Sequence, residues 1–200
     1  EAAWDQRRLA WPAEERERAA SERFPPGSEP GLELDEAGAQ LVARAGGNLY
    51  TQKDYTDFVL RFEFRLHPAA NNGLGIRAPR EGDAAYQGME LQILEDGSPV
   101  YRNLQPYQHH GSIYGVVAAR RGALRPVGEW NTEEVTVKGR RVSVVVNGIT
   151  VVDADIDSAS AHGTIDHREH PGLKRATGAI GFLGHGDVVE FRNIRIKETR

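Results

Sequence analysis

Two polar side chains, Glu90 and Gln92, interrupt an otherwise apolar run at residues 89–94. In a β-strand, successive side chains point to opposite faces, so the apolar residues at 89, 91 and 93 are predicted to face a core. Glu90 and Gln92 then share the other face, where a carboxylate beside an amide can bind sugar hydroxyls. A single carboxylate can also act as a general base. We therefore predict a polar site on this strand, with Glu90 as a catalytic residue and Gln92 as a substrate ligand.

The spacing of Glu90, Gln92 and Glu95 resembles the E-x-D-x-x-E element of laminarinase-type glucanases, in which paired carboxylates act as nucleophile and general acid. Gln92 replaces the Asp, which argues against ordinary retaining chemistry but leaves Glu90 free to act as a base. An ordinary glycosidase needs a second essential acid, and Glu63 and Glu95 are the candidates. This alternative stays open.

A cation and a phenol are expected on neighbouring strands. Arg77 ends the run 72–77, and Tyr114 ends the run 111–114. A guanidinium is permanently charged and presents planar donors, so it can stabilise developing negative charge. We predict that Arg77 is catalytic and that Tyr114 binds substrate. Trp130 could stack on a sugar ring, although a tryptophan at the start of a strand more often lies in the core.

Two long polar connections, 95–111 and 153–177, hold five of the seven histidines, and His185 follows shortly after. Tyr101 and Tyr107 lie in the first connection. Connections on a rigid scaffold often carry binding residues, so this clustering suggests the rim of a site, although solvated loop histidines are an equally weighted alternative. The predicted substrate ligands from these connections are His109, His110, His170 and Arg175.

No metal or nucleotide motif stands out. His109 and His110 are adjacent and would point apart in a strand, and the run 166–170 mixes oxygen and nitrogen ligands without a diagnostic spacing. Phosphate loops, dinucleotide fingerprints and Gly-x-Ser-x-Gly elbows are missing. We expect no cofactor, and leave open a divalent ion such as calcium on loop carboxylates.

Composition narrows the partners. The 200 residues carry a net charge of −4 and no cysteine, which excludes disulfides and thiolate sites and gives no strong field for nucleic acid. No apolar run reaches the roughly 18–20 residues that span a bilayer. The first residue is Glu1 rather than Met, which suggests a trimmed or processed form, so we expect a secreted or periplasmic protein. The oligomeric state stays open.

The pattern from Leu32 onward is that of an all-β domain, with short alternating runs separated by turn residues. Asn147-Gly148 predicts a type I′ hairpin between strands 142–146 and 149–152. A slip in alternation at Arg192-Asn193 predicts a β-bulge. Residues 1–31 are predicted as an N-terminal arm with a short helix at 13–22, and residues 32–200 as one β-sandwich domain. Further strands are predicted at 38–43, 57–66, 73–77, 89–94, 112–117, 133–137 and 178–183.

Several of these elements, in this order, resemble the 3-keto-disaccharide hydrolase family over about residues 34–198. The resemblance rests on the following runs: 55–66, 72–77, 90–94, 111–114, 128–131, 147–148, 170–173, 178–186 and 191–197. It implies a concanavalin-like jelly-roll β-sandwich of two antiparallel sheets, often in exported bacterial proteins. It also implies action on glycosides whose carbon 3 is a ketone.

That chemistry needs one base and an enolate stabiliser instead of two carboxylates. The resemblance therefore favours Glu90 and His185 as the catalytic pair, with Arg77 or Tyr114 near the oxyanion. A non-catalytic carbohydrate-binding module is the competing interpretation, because one fold serves many functions.

Overall fold

A computed structural model describes residues 32–34, 40–43 and 47–199, the first two stretches as main chain only. The predicted arm at 1–31 and its helix at 13–22 lie outside these residues. The domain boundary at residue 31 therefore stays a prediction.

The described residues form two antiparallel sheets packed face to face. The larger sheet has seven strands in the order β1-β2-β11-β4-β7-β8-β9, and the smaller has four in the order β3-β10-β5-β6. The strands are β1 (Leu32–Leu34), β2 (Gln40–Ala43), β3 (Gly47–Tyr50), β4 (Phe58–Leu66), β5 (Asn71–Ala78), β6 (Met89–Leu94), β7 (Trp130–Lys138), β8 (Arg141–Val146), β9 (Ile149–Asp155), β10 (Ala179–Gly184) and β11 (Val189–Glu198). The predicted all-β sandwich is confirmed.

Short helical segments connect the strands. The α-helices are α1 (Ala84–Gln87), which directly precedes β6, and α2 (Ile156–Ser160); the 3₁₀ turns are Pro99–Tyr101, Pro106–Gln108 and Pro171–Lys174. No helix in the part of the chain that the structure describes is long and apolar enough to span a membrane.

The core lies between the sheets and follows the alternation in β4. Every second residue of that strand is buried, from Phe58 to Leu66, while the residues between them are more exposed. Phe182 of the smaller sheet contacts two rings of the larger sheet, with centroids 5.7 Å from Phe62 and 4.3 Å from Phe191. Burial of each such ring contributes about 1.5–3 kcal/mol, so these contacts join the two sheets strongly.

The predicted turn chemistry is confirmed at two positions. Asn147 and Gly148 both have positive φ, 50° and 79°, as a type I′ turn requires. The pairing of β11 with β4 shifts register between Arg192 and Arg195, with Asn193 at φ 53°, which is the predicted bulge.

The predicted strand at 112–117 is wrong. Gly111 and Gly115 adopt φ of 80° and 73°, so the chain turns within this stretch. Residues 112–114 lie beside β6, with Ile113 opposite Leu91, and the amide of Val117 turns back to bond the carbonyl of Ile113.

Arg77 does not face a substrate, which corrects the role that the sequence suggested. It is 2% exposed, and its Nη2 donates to the carbonyls of Thr56 at 3.0 Å and Gly139 at 2.7 Å. Burial lowers the pKa of Arg77, with Asp57 acting in the opposite direction. Arg175, a predicted substrate ligand, donates from Nε to the carbonyl of Arg77 at 2.8 Å. Both arginines thus hold loops together at one end of the sandwich.

We expect Arg77→Met to destabilise the fold by about 1.5–3 kcal/mol, because the change removes the hydrogen bonds of a buried guanidinium to the carbonyls of Thr56 and Gly139. Urea unfolding followed by circular dichroism measures this loss. Arg141→Met is the matched control, since Arg141 forms an exposed pair with Asp153 and its removal should hardly move the midpoint. Equal midpoints for the two variants would contradict the structural role of Arg77.

Candidate functional site

One row of residues crosses the outer face of the four-stranded sheet. The strand register places Tyr50 beside Gly181, Gly181 beside Gly75, and Gly75 beside Glu90. The amide of Tyr114 donates to the carbonyl of Glu90 at 2.9 Å, so Tyr114 continues the row beyond β6. Side chains directly opposite each other on antiparallel strands share one face. Two central glycines therefore place no side chain of their own between Tyr50 on one side and Glu90 with Tyr114 on the other, and the Tyr50 ring lies over Gly181, where a Cβ would be 2.3 Å from it; we call this surface the Glu90 face.

The Glu90 side chain lies across Gly73 and reaches His185. A Cβ atom at position 73 would be 2.0 Å from Oε1 of Glu90, so the carboxylate occupies the space that any larger residue would fill. The same oxygen is 3.3 Å from Nε2 of His185. The Glu90 side chain is 7% exposed and that of His185 is 42% exposed, so the pair has a sheltered member and an accessible one.

The pairing makes the imidazole of His185 more basic. The carboxylate of Glu90 is the main cause of a raised pKa for His185, while partial burial acts against it. Asp187 and Asp83 add smaller contributions in the same direction as Glu90. The structure therefore favours an imidazolium next to a carboxylate, an arrangement that can both accept and donate a proton.

Gln92 and Tyr114 belong to the same surface. Gln92 follows Glu90 on the same side of β6, is 5% exposed, and donates from Nε2 to Oδ1 of Asn71 at 3.0 Å. The hydroxyl of Tyr114 accepts a hydrogen bond from Gln108 at 3.3 Å. The structure thus brings together four predicted site residues: Glu90, Gln92, Tyr114 and His185.

Two predicted histidine ligands have partners elsewhere. His109 bonds from Nδ1 to the Asp96 carboxylate at 2.9 Å. His110 stacks on Phe64 inside the sandwich, accepts the Leu94 amide at Nδ1, and lies 3.4 Å from Glu133. Both histidines are buried, so neither imidazole is free to contact a substrate. The loop that carries these two adjacent histidines folds toward the interior.

Trp130 lies on the opposite sheet, so its predicted role as a sugar platform on this site is wrong. The guanidinium of Arg65 is 4.8 Å from its ring and that of Arg192 is 3.8 Å away. Both guanidinium groups are within the range of cation–π interactions with the ring. Trp130 is therefore neither in the core nor on the Glu90 face.

The two candidate second carboxylates of a paired-carboxylate mechanism, Glu63 and Glu95, also have other hydrogen-bond partners. Glu63 faces outward from the seven-stranded sheet, where Arg192 and Asn193 each bond it at 2.8 Å. The two sheets pack about 10 Å apart, so outward groups of opposite sheets cannot share one substrate bond. Glu95 accepts the Ala69 amide at 3.1 Å. Glu63 also borders a depression on the outer side of the seven-stranded sheet, where it pairs with Arg192 and where Arg61 pairs with Glu134.

The connection at 153–177 supplies Arg168, which the sequence did not single out, and His170, which it predicted as a substrate ligand. Nη1 of Arg168 donates to the hydroxyl of Tyr86 at 2.6 Å, and the guanidinium lies 4.3 Å from the centre of that ring. His170 is buried behind them, 3.0 Å from the Asp166 carboxylate and 4.6 Å from the Tyr86 ring. His170 therefore supports the rim from behind instead of lining it. In the sequence, the position of Tyr86 just before β6 was the signal from which this cluster could have been found.

Among residues 32–34, 40–43 and 47–199, no group of three or more histidines and carboxylates is arranged to hold a metal ion. The run 166–170 illustrates why no metal-binding group is formed. Asp166 and His170 bond each other, while His167 and Glu169 are exposed. The expectation of no cofactor, with calcium left open, stays a prediction.

We expect Glu90→Gln to lower the pKa of His185, because the substitution removes the charge that raises it. An NMR titration of the imidazole measures the change. The raised folded-state pKa means that the pair stabilises the protein fully below about pH 6.5 and loses this contribution as the pH rises through the folded pKa. An unchanged pKa in the variant would show that the two groups are not coupled.

We expect Gly73→Ala to displace the Glu90 carboxylate and thus to lower the pKa of His185 as well. Gly75→Ala is the matched control on the same strand and face, because its Cβ would meet only ordinary contacts at 3.4 Å. The same NMR titration compares the two variants. Equal His185 pKa values in both would refute the packing of Glu90 over Gly73.

Known proteins resemble this chain in fold and in sequence. A curated relative from Bacteroides thetaiotaomicron, named 3-keto-disaccharide hydrolase, is 25% identical in an alignment 179 residues long that covers 76% of this chain and 62% of that protein. The chain thus matches less than two thirds of that relative's length. A crystal structure from Parabacteroides distasonis, provisionally described as a glycosyl hydrolase, superposes with a TM-score of 0.75 at 26% identity, covering 88% of this chain and 93% of that one. The carbohydrate-binding module CBM66 of Bacillus subtilis shares the fold, with a TM-score of 0.54 at 12% identity over 84% of this chain and 91% of the module.

A family model described as the 3-keto-alpha-glucoside-1,2-lyase-like domain matches residues 4–197. The match is longer than the resemblance found from the sequence, since it includes most of the stretch that was set apart as an arm. The jelly-roll likeness and the family predicted from the motifs are both confirmed. The chain belongs to the family of 3-keto-alpha-glucoside-1,2-lyase-like domains.

Proposed function

We propose that the Glu90 face binds a glycoside whose carbon 3 is a ketone and cleaves it by base-assisted elimination. The observation that carries the proposal is the Glu90–His185 pair, 3.3 Å apart on the Glu90 face. One sheltered carboxylate next to one accessible imidazole suits proton transfer to and from a carbon acid. The family description, which names a 1,2-lyase on a 3-keto-glucoside, supports this reading.

The ketone determines which hydrogen is removed. It acidifies the hydrogen on carbon 2, and the Glu90 carboxylate takes that proton while the electron pair forms the C2=C3 bond and the ketone oxygen becomes an enolate. The enolate then re-forms the ketone, the pair moves to C1=C2, and the C1–O bond breaks. The leaving oxygen takes a proton from the His185 imidazolium. Water adds afterwards across C1=C2, so one glycoside and one water give a 3-keto sugar and an alcohol.

The proton balance uses both members of the pair. Glu90 ends the elimination protonated and His185 ends it neutral, and the 3.3 Å separation lets the proton return from the carboxyl to the imidazole. The pKa of His185 is raised, first by Glu90, which favours the acid form that the proposal requires. A glycosidase with paired carboxylates would need Glu63 or Glu95 at the same bond, and both have other partners.

The surroundings suit a sugar ring. Leu183, Ala78 and Ala84 form a small apolar cluster on the outer side of the four-stranded sheet, with Tyr50 packed against it. These three side chains are buried, so the partly exposed ring of Tyr50 is the member of the cluster on which a C–H face of a sugar can rest. Carbohydrate binding without catalysis is the second candidate, favoured by the fold that the chain shares with a carbohydrate-binding module. Export from the cytoplasm stays a proposal beside both.

Turnover of a 3-keto-glucoside, and none of its parent glucoside, is the expected behaviour of the wild-type protein. Product formation is followed by chromatography, with and without a chelator. A chelator that abolishes activity would contradict the expectation that no ion is needed. Saturable binding of either sugar without product would favour the binding module.

We expect Glu90→Gln to reduce turnover by about 10²–10⁴-fold, the usual contribution of a general base. Glu63→Gln is the matched control, because Glu63 faces outward from the other sheet. Circular dichroism and a thermal melt check that both variants fold. Full activity of Glu90→Gln would refute the assignment, and inactivity of Glu63→Gln would support paired carboxylates.

A further inference from the structure

An enolate needs a positive charge near the ketone oxygen, and Arg77 cannot supply it because its guanidinium binds main-chain carbonyls. The connection at 153–177 carries another arginine to the edge of the Glu90 face. The amide of Asp166 donates to the carbonyl of Gly115 at 3.2 Å, directly after Tyr114. Gly172 packs so closely on the end of α1 that a Cβ there would lie 2.3 Å from the carbonyl carbon of Gln87. This connection is therefore fixed beside both the start of β6 and the turn that carries Tyr114.

Arg168 projects from this connection and is held by Tyr86. Its Nη1 donates to the phenol oxygen at 2.6 Å, and its guanidinium lies 4.3 Å from the ring centre. The residue is otherwise exposed. A guanidinium held on an aromatic face keeps its remaining donors in fixed directions, which favours binding of an anionic oxygen.

A buried pair holds this arrangement from behind. Asp166 and His170 have side chains that are 2% and 0% exposed, and they bond at 3.0 Å. Burial alone would raise the pKa of Asp166, but hydrogen bonds from His170, the Arg168 amide and Thr164 lower it, so the carboxylate stays charged. The His170 ring packs on Tyr86, and Asp166 also lies 3.4 Å from the Tyr86 hydroxyl. The Tyr86–Arg168 pair is thus positioned by groups that no substrate can reach.

Two tyrosines, Tyr107 and Tyr114, connect the region of Arg168 with the row of Glu90. Tyr107 meets Tyr114 edge to face, with ring centroids 5.6 Å apart. Burial raises the pKa of Tyr107, and Arg168 is close enough to act against that rise. Tyr114 is the direct neighbour of Glu90 across the strand pair. Arg168 therefore lies on the connection that packs against the turn at Gly115, directly after the tyrosine that neighbours Glu90.

We propose that Arg168 contacts the ketone oxygen of the substrate and stabilises the enolate that forms when Glu90 removes the proton from carbon 2. This rests on the proposed function. Arg168 is then a catalytic residue, whereas Tyr86, Asp166 and His170 are positioning residues. No covalent bond forms to the protein, and the charge on the enolate oxygen returns to the leaving oxygen when the C1–O bond breaks.

The test compares Arg168→Ala, Arg168→Lys and the control Arg141→Ala on a 3-keto-glucoside. Loss of an oxyanion donor typically costs about 10²–10³-fold in kcat, so we expect this loss in Arg168→Ala, a smaller loss in Arg168→Lys and none in the control. We also expect added guanidinium ion to restore part of the kcat of Arg168→Ala, which a merely structural role would not allow. Calorimetric binding of the unoxidised parent glucoside, which has no ketone at carbon 3, should be the same in wild type and Arg168→Ala.

The outcomes separate this inference from the proposed function. Wild-type activity in Arg168→Ala, together with inactivity of Glu90→Gln, would overturn the inference and leave the elimination intact. A raised KM with unchanged kcat would also overturn it, because Arg168 would then bind ground state and transition state equally. Absence of turnover in the wild-type protein would instead overturn the proposed function.

Discussion

The site depends on a carboxylate that lies over a residue with no side chain. Glu90 occupies the volume above Gly73, is almost wholly sheltered there, and still meets His185 at 3.3 Å. A β-strand places a side chain at every position of a face except where glycine stands, and the two central strands carry glycine at 73, 75 and 181 on this face. The same absence of side chains therefore lets Glu90 lie over Gly73 and the Tyr50 ring lie over Gly181. The raised pKa of His185, caused first by Glu90, follows from this packing.

The remainder of the sandwich keeps that arrangement rigid. Aromatic contacts between Phe62, Phe182 and Phe191 join the two sheets behind the Glu90 face. At one end, the buried guanidinium of Arg77 ties the start of β4 to the β7–β8 turn. At the side, the connection at 153–177 is packed onto α1 and the turn at Gly115. Each element holds one border of the surface on which Glu90 and His185 meet.

Local patterns predicted the strands and half of the site. The alternation in β4, the Asn147-Gly148 turn and the bulge at Asn193 depend on neighbouring residues, so the sequence carries them openly. Glu90 and Gln92 were found because alternating residues of one strand share a face, whereas Tyr114 was predicted on a neighbouring strand that the structure replaces with turns. The roles of His110 and Trp130 depend on which way a loop or sheet faces in three dimensions, which periodicity does not encode. The same limit applies to Arg77. The sequence pattern of a cation at a strand end is identical whether that cation contacts a substrate or main-chain carbonyls.

The central claim is that Glu90 removes the hydrogen on carbon 2 before the glycosidic bond breaks. A 3-keto-glucoside carrying deuterium at carbon 2, cleaved by the wild-type protein in ordinary water and analysed by mass spectrometry, tests it most directly. The account predicts slower cleavage of the labelled substrate and a 3-keto sugar that has lost the deuterium to solvent. Cleavage at an unchanged rate with the deuterium retained would show direct hydrolysis and contradict the account.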